Sequence, residues 1–275
     1  MNTGKLTQPF RQLGLMHLVD QVKYLWQFLK MYRKNQRFVK QNPTLKLPSN
    51  YTLFEAYRLD YEGYYERGRT SAISVLEDLG KFTSLKGISL LDWGCGPARV
   101  VRHMPSLLDA DSSVYGTDYN GKTVAWCQKS IPNVSFSTNS VNPPTSFEDN
   151  FFDCIYGISI FTHLSEANHP AWFNELMRIL KPGGILMITT HGEAYRVKLT
   201  NEELNAYDQG ELVTRGQVKE GHRVYAAFQP PKYMQQLAEG KADLLSHIPG
   251  KEVSWGIEQD KWFFRKSQSQ RPGLT

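Results

Sequence analysis

Residues 88–99, Ile-Ser-Leu-Leu-Asp-Trp-Gly-Cys-Gly-Pro-Ala-Arg, constrain the fold of this chain more than any other stretch. An apolar run closes on Asp92, turns through Gly94 and Gly96, and meets Pro97, a residue suited to the first turn of a helix. Strand, glycine turn and helix start make a nucleotide cradle. Glycine lets the backbone approach a ligand closely, and a helix N-terminus presents unpaired N–H groups. Spacing then separates two kinds of cradle. The dinucleotide fingerprint wants glycines at the first, third and sixth positions, over a pyrophosphate. Here the sixth position is Arg99, whose bulk opposes close helix packing. An acid two residues before the first glycine, Asp-x-Gly-x-Gly, describes Asp92, Gly94 and Gly96 instead.

Further signals follow in order. Ser112–Thr117 leads into Asp118, 22 residues beyond Gly96, where an acid at a strand end can accept hydrogen bonds from both hydroxyls of a ribose. Residues 152–159, Phe-Asp-Cys-Ile-Tyr-Gly-Ile-Ser, read as a buried strand. Leu180-Lys181-Pro182-Gly183-Gly184 before Ile185-Leu186-Met187-Ile188 reads as a helix stop, a glycine turn and another strand. Across residues 63–190 the chain thereby resembles the class I S-adenosylmethionine (SAM) methyltransferases, with Ala98 departing from glycine at the third small position. The resemblance implies SAM as cofactor. Asp92 then faces its methionine end through water, Gly94, Cys95 and Gly96 form the loop beside it, and Asp118 binds the ribose. Asn139 and Ser140 match the region that bonds the adenine amino group, Tyr119 could lie against the adenine, and Ser159 and Ile160 pass close to the methionine moiety.

The pattern predicts strands at 87–92, 112–118, 133–138, 151–159 and 184–190, with helices at 97–108, 121–130 and 165–180. His222–Phe228 and Lys261–Arg265 are expected as final strands around a helix from Pro231 to Glu239. The expected fold is α/β, a doubly wound, seven-stranded, mostly parallel sheet of Rossmann-like methyltransferase type, with an N-terminal helical extension. Residues 1–50 form the extension, 51–266 the cofactor domain and 267–275 a loose polar tail. Tyr57, Tyr61, Tyr64 and Tyr65 precede the first core helix, either as a cofactor lid or as packing.

A hydroxyl acceptor needs its proton removed, and a base should sit where the fourth and fifth strands end. His163 and His191 fall there and are the candidate catalytic residues, although either could simply hydrogen-bond backbone. Glu193 and Tyr195 are weaker candidates, and His222 and Tyr225 lie in the expected roof. Asn142-Pro143-Pro144-Thr145 resembles the signature of adenine amino-methyltransferases. It precedes the fourth strand instead of following it and ends in Thr, so it reads as loop punctuation.

The extension has its own character. Through residue 47 it holds six Lys and three Arg against Asp20, a charge of +8 in a chain of +5, leaving the rest at −3. Leu15, Leu18, Val19, Val22, Leu25, Trp26 and Leu29 make one helical stripe, followed or flanked by Lys23, Lys30, Arg33, Lys34, Arg37 and Lys40. Tyr24, Phe28 and Met31 populate the other side. A packing or homodimer helix, a peripheral helix on the inner face of a membrane and a nucleic-acid arm all fit such a segment. Nucleic acid as substrate is disfavoured, because the catalytic domain lacks a basic face and a base-flipping signature.

No run approaches a membrane span, and no apolar signal core opens the chain. The three cysteines, Cys95, Cys127 and Cys154, read as structural thiols of a reducing compartment, and no metal-ligand spacing is present. The expected protein is a cytoplasmic SAM-dependent methyltransferase acting on a small-molecule or glycan/lipid-linked acceptor, by preference at oxygen. A SAM-binding regulator without turnover and a nucleic-acid methyltransferase are the alternatives.

Overall fold

Local chemistry sets many of the elements. Asn120 accepts a hydrogen bond from the Thr123 N–H and opens a helix over Gly121–Ser130. Thr200 and Glu203 close a capping box on Asn201–Gln209, which stops at Gly210 in the left-handed region, φ 88°. Pro231 starts Pro231–Ala238, where its missing N–H costs nothing.

A computed structural model describes residues 16–215, 225–254 and 256–268, and the chain divides into two compact units, Met1–Thr70 and Ser71–Thr275. The N-terminal unit holds α1 (Met16–Gln41), α2 (Asn50–Tyr57) and the first half of α3 (Tyr61–Gly80). Leu53, Leu59 and Tyr64 are its buried centre, and Tyr24, Phe28 and Met31 of α1 pack against them. Tyr57, Tyr61 and Tyr65 join the same cluster. Asn35 ties the helices together: its amide donates to the Leu59 carbonyl at 2.7 Å, and its oxygen accepts the Tyr61 N–H at 3.2 Å.

The larger unit is built on a seven-stranded sheet. Its strands are β1 (Ser89–Trp93), β2 (Ser113–Asp118), β3 (Ser135–Thr138), β4 (Phe152–Gly157), β5 (Leu180–Thr190), β8 (Ala242–Ile248) and β11 (Asp260–Lys266), while β6 (Val213–Arg215) with β7 (Ala226–Phe228) and β9 (Glu252–Val253) with β10 (Gly256–Ile257) form two short ribbons outside it. They run in the order β3-β2-β1-β4-β5-β11-β8. The first five pair in parallel, and β11 is antiparallel to both β5 and β8. Alternation along β1 divides the core, because successive side chains leave opposite faces of a strand. Leu90 joins Ala72, Val75 and Leu79 of α3 and Val124 of α4 (Gly121–Ser130). Leu91 and Trp93 join Trp172, Phe173 and Leu176 of α5 (Asn168–Ile179). Helices therefore cover both faces, as a doubly wound sheet requires.

Four expectations need correction. No α-helix spans 97–108: turns lead into a 3₁₀ segment, Val101–Ser106. Ala98 stands at φ 58°, outside helical space, and Pro105 cannot donate the α-helical bond back to Val101. Of the strand expected at His222–Phe228, the described residues hold β7 (Ala226–Phe228), which pairs with β6 (Val213–Arg215) in a separate ribbon and not in the main sheet; residues 222–224 lie outside the described residues. The seventh strand of the main sheet is β8 instead. Its sequence, Ala-Asp-Leu-Leu-Ser-His-Ile, lacks clean alternation because it is a half-exposed edge paired only with β11. Finally, β5 begins at Leu180, and Lys-Pro-Gly-Gly is carried inside the strand as an irregularity, with Gly183 at φ 80°.

Candidate functional site

The strand order reverses between β1 and β4, and open α/β sheets bind ligands outside the carboxyl ends of their strands at such a point. A cleft of about 490 Å³, its open mouth included, lies there. Gly94, Asp118, Tyr119, Asn139, Ser140 and His163 form part of its wall, as the sequence led us to expect. Ile160 joins them, together with Trp93, Val141, Leu164 and Trp172, which the sequence did not single out. Trp172 lies far along the chain and is brought in by α5. Its indole N–H donates to the Val141 carbonyl at 2.9 Å, fixing the wall opposite the glycine turn.

The turn itself is held by β2. The N–H groups of Gly94 and Cys95 both donate to the Thr117 carbonyl, at 2.8 and 2.9 Å. Gly94 and Gly96 stand at φ 78° and 50°, conformations that favour glycine. A Cβ on Gly94 would fall 2.1 Å from Ile160 Cδ1, whereas at Gly96 nothing lies within 4 Å. The space over Gly96 is open to backbone approach, although Gly96 itself is not part of the cleft wall. Cys95 turns its side chain inward, with Sγ 3.6 Å from the Gly96 carbonyl, and burial raises its thiol well above the usual range. It contributes backbone to the loop and no thiolate.

Two acids support this turn at different depths. Asp118 lines the cleft. One of its oxygens accepts the Gly96 N–H at 3.0 Å and the other the Asn120 N–H at 2.8 Å. Its carboxyl is nevertheless raised, because burial outweighs those two bonds. Asp92 is fully buried and is not part of the cleft wall. The Tyr156 hydroxyl donates to it at 2.8 Å. Burial pushes its carboxyl up to about 7, against the Tyr156 bond and Arg99 and with help from the charge of Asp118. Beyond Asp118, the Asn139 N–H donates to the Asp118 carbonyl at 3.1 Å, and its side-chain oxygen accepts the Thr117 hydroxyl at 2.8 Å. Its amide donates to the Ser140 carbonyl at 2.6 Å.

Ser159 is engaged otherwise. Held at φ 65°, it donates its N–H to the Thr189 hydroxyl at 2.7 Å and accepts from the Gln259 amide at 2.8 Å. It knits β4, β5 and the approach to β11, while its neighbour Ile160 reaches the cleft.

The two histidines differ. His163 has Nδ1 2.7 Å from the Tyr225 carbonyl. A carbonyl only accepts, so Nδ1 carries the proton and Nε2 is left as the acceptor. His191 makes the same kind of bond to the Ala227 carbonyl at 3.1 Å, but its ring stacks 4.1 Å from Tyr195 and packs on Phe228. Burial, and secondly the neighbouring His163, push it down to about 4. It is not among the residues lining the cleft. The Tyr195 hydroxyl donates to the Ile257 carbonyl at 2.9 Å. The Asn-Pro-Pro-Thr segment is anchored to α5: Asn142 accepts from Asn168 at 2.8 Å, and Thr145 donates its N–H and its hydroxyl to Glu175 at 2.7 and 2.6 Å.

Comparison with known proteins agrees with this fold. A family model described as a methyltransferase domain matches residues 90–184, from β1 into β5. Among solved structures, a SAM-dependent methyltransferase from Methanosarcina mazei is similar with a TM-score of 0.55 at 18% identity, over 70% of this chain and 98% of that one. A protein from Pyrococcus horikoshii gives 0.52 at 19% identity, over 78% and 99%. A TehB-like SAM-dependent methyltransferase from Corynebacterium glutamicum gives 0.50 at 15% identity, over 79% and 98%. At these identities the structural likeness speaks to the fold.

Proposed function

We propose that this chain is a class I SAM-dependent methyltransferase and that it methylates an oxygen of a small-molecule or glycan-type acceptor, with His163 as general base. When bound, SAM supplies an electrophilic methyl group on a sulfonium that is already a good leaving group. The residues present fit it. Gly96 leaves its approach open, and each oxygen of Asp118 keeps acceptor capacity for a ribose hydroxyl beyond its one backbone bond. Asn139, Ser140 and Tyr119 continue the same wall toward an adenine.

The protein's remaining task is to align the acceptor and take its proton. The single observation that carries our proposal is the bond from His163 Nδ1 to the Tyr225 carbonyl, on a histidine that lines the cleft. It fixes the tautomer in which Nε2 accepts a proton, so the hydroxyl of the acceptor can lose its proton there as the new bond to carbon forms. His191, pushed down to about 4, is a weak base near neutral pH, and we assign it to holding the β7 ribbon through Ala227. Among the described residues no Lys or Arg stands in the cleft wall, which favours an uncharged small acceptor over a phosphate backbone. The unpaired, buried Cys95, Cys127 and Cys154 favour a cytoplasmic setting.

The test offers methyl-labelled SAM and the full-length protein to separate small-molecule, glycolipid, RNA and DNA pools, following S-adenosylhomocysteine release. His163→Gln should lower turnover about 10²–10⁴-fold with SAM affinity kept within a few-fold. Label in nucleic acid, or near-normal turnover of His163→Gln, would refute the proposal.

A further inference from the structure

The outer face of α1 is apolar and exposed, although the helix has already used its inner face for folding. Tyr24, Phe28, Met31, Asn35 and Phe38 face the interior of the N-terminal unit. On the other side Val22, Leu25, Trp26 and Leu29 remain 69, 58, 59 and 66% exposed. At 100° per residue these four fall within one arc, so they form a continuous strip along about two turns. Nothing in the unit's own packing calls for them. Leu15, part of the stripe read from the sequence, lies outside the described residues.

The charges around this strip name its occupant. Lys23, Lys30 and Arg37 project along one flank, and Arg33 and Lys40 continue the strip's own line toward the helix end. Lys34 points away from it, toward Asp60 and Glu62 at 2.9 and 3.0 Å. Asp20 is the sole acid in the helix sequence. The Lys30 ammonium stands over the Trp26 ring, 4.9 Å from its centroid, so a basic group and the apolar strip are in contact. A second copy of this chain would bring the same cations face to face, whereas an anionic lipid headgroup layer complements them. Among the described residues no helix is long and apolar enough to cross a membrane. One apolar strip with a basic margin and a tryptophan suits a helix lying in the plane of the interface.

We propose that α1 docks this protein onto an anionic lipid surface, with Val22, Leu25, Trp26 and Leu29 inserted among the headgroups and Lys23, Lys30 and Arg37 paired with phosphates.

The test is flotation of the full-length protein with vesicles of phosphatidylcholine, alone or with about 30% phosphatidylglycerol. Wild type should float with the anionic vesicles only and be released by about 0.5 M salt. Lys23→Gln/Lys30→Gln/Arg37→Gln should lower partitioning about 100-fold, taking about fivefold per charge. Trp26→Glu/Leu29→Glu should abolish flotation at low salt. All five side chains are exposed, so both variants should keep the wild-type melting temperature. The proposal is overturned if wild type does not float, floats equally on phosphatidylcholine, or ignores salt. It is equally overturned if light scattering shows a dimer that Trp26→Glu/Leu29→Glu dissociates while no vesicle binding occurs. None of these readouts depends on the cofactor or on turnover.

Discussion

Replacing Asp92 by Asn should stabilise the cofactor-free protein at alkaline pH and do almost nothing for it in mild acid. The Asp92 carboxyl is buried under the glycine turn and pushed up to about 7, chiefly by burial. In the unfolded chain it titrates near 4. Between those values the native state holds a proton that the unfolded state has released. Stability therefore falls as pH rises through this window and levels off above about 7. Three pH units correspond to an upper limit of about 4 kcal/mol. An amide carries no such penalty. It can still accept the Tyr156 hydroxyl, but it cannot also serve the Val101 N–H that the carboxylate accepts, a loss of about 1 kcal/mol. The stability difference, variant minus wild type, should thus start near zero at pH 5 and grow by about 2–3 kcal/mol by pH 8.

Urea unfolding at several pH values measures this difference, followed by the fluorescence of the buried Trp93, Trp172 and Trp262. At pH 8 the midpoint should rise by about 1 M or more. The variant must be compared with wild type at each pH, because His191 titrates across an overlapping window with the opposite sign. A stability difference that does not change with pH would refute the account of Asp92 as a destabilising buried carboxylate.

The two glycines of the turn should separate folding from binding. Gly94→Ala puts a Cβ 2.1 Å from Ile160 Cδ1 at φ 78° and should cost about 1–3 kcal/mol in urea unfolding and lose SAM binding by calorimetry. Gly96→Ala meets no protein atom, so it should unfold within about 1–2 kcal/mol of wild type yet bind SAM weakly. His191, held near 4 against an ordinary value of about 6.5, binds its proton more readily in the unfolded chain, so its contribution to stability is lost as pH falls from about 6.5 to about 4. His191→Phe should flatten that acid limb in unfolding experiments between pH 4 and 7, and an unchanged limb would contradict the assignment.

Residues close in sequence, with their own capping or turn chemistry, were legible without the structure. Gly121–Ser130 begins and ends where Asn120 and the following loop dictate, and Asp92, Gly94, Gly96 and Asp118 were readable because strand ends and left-handed turns demand those residue types. The sequence alone determined an alternating α/β chain, its glycine turn and a basic helix with an apolar stripe. Tertiary structure decided what those parts could do. Trp172 joins the cleft because α5 packs beside β1, and β8 holds the sheet edge by pairing with β11 while β7 pairs with β6. His163 and His191 are alike in sequence, each just past a strand. They part company because one ring lines the cleft and the other is packed against Tyr195 and Phe228. Likewise α1 carries apolar residues on both sides, and the placement of Leu53, Leu59 and Tyr64 selects which side is spent on the core and which stays exposed. Burial and proton affinity are properties of a side chain's surroundings, and those surroundings are assembled from residues distant along the chain.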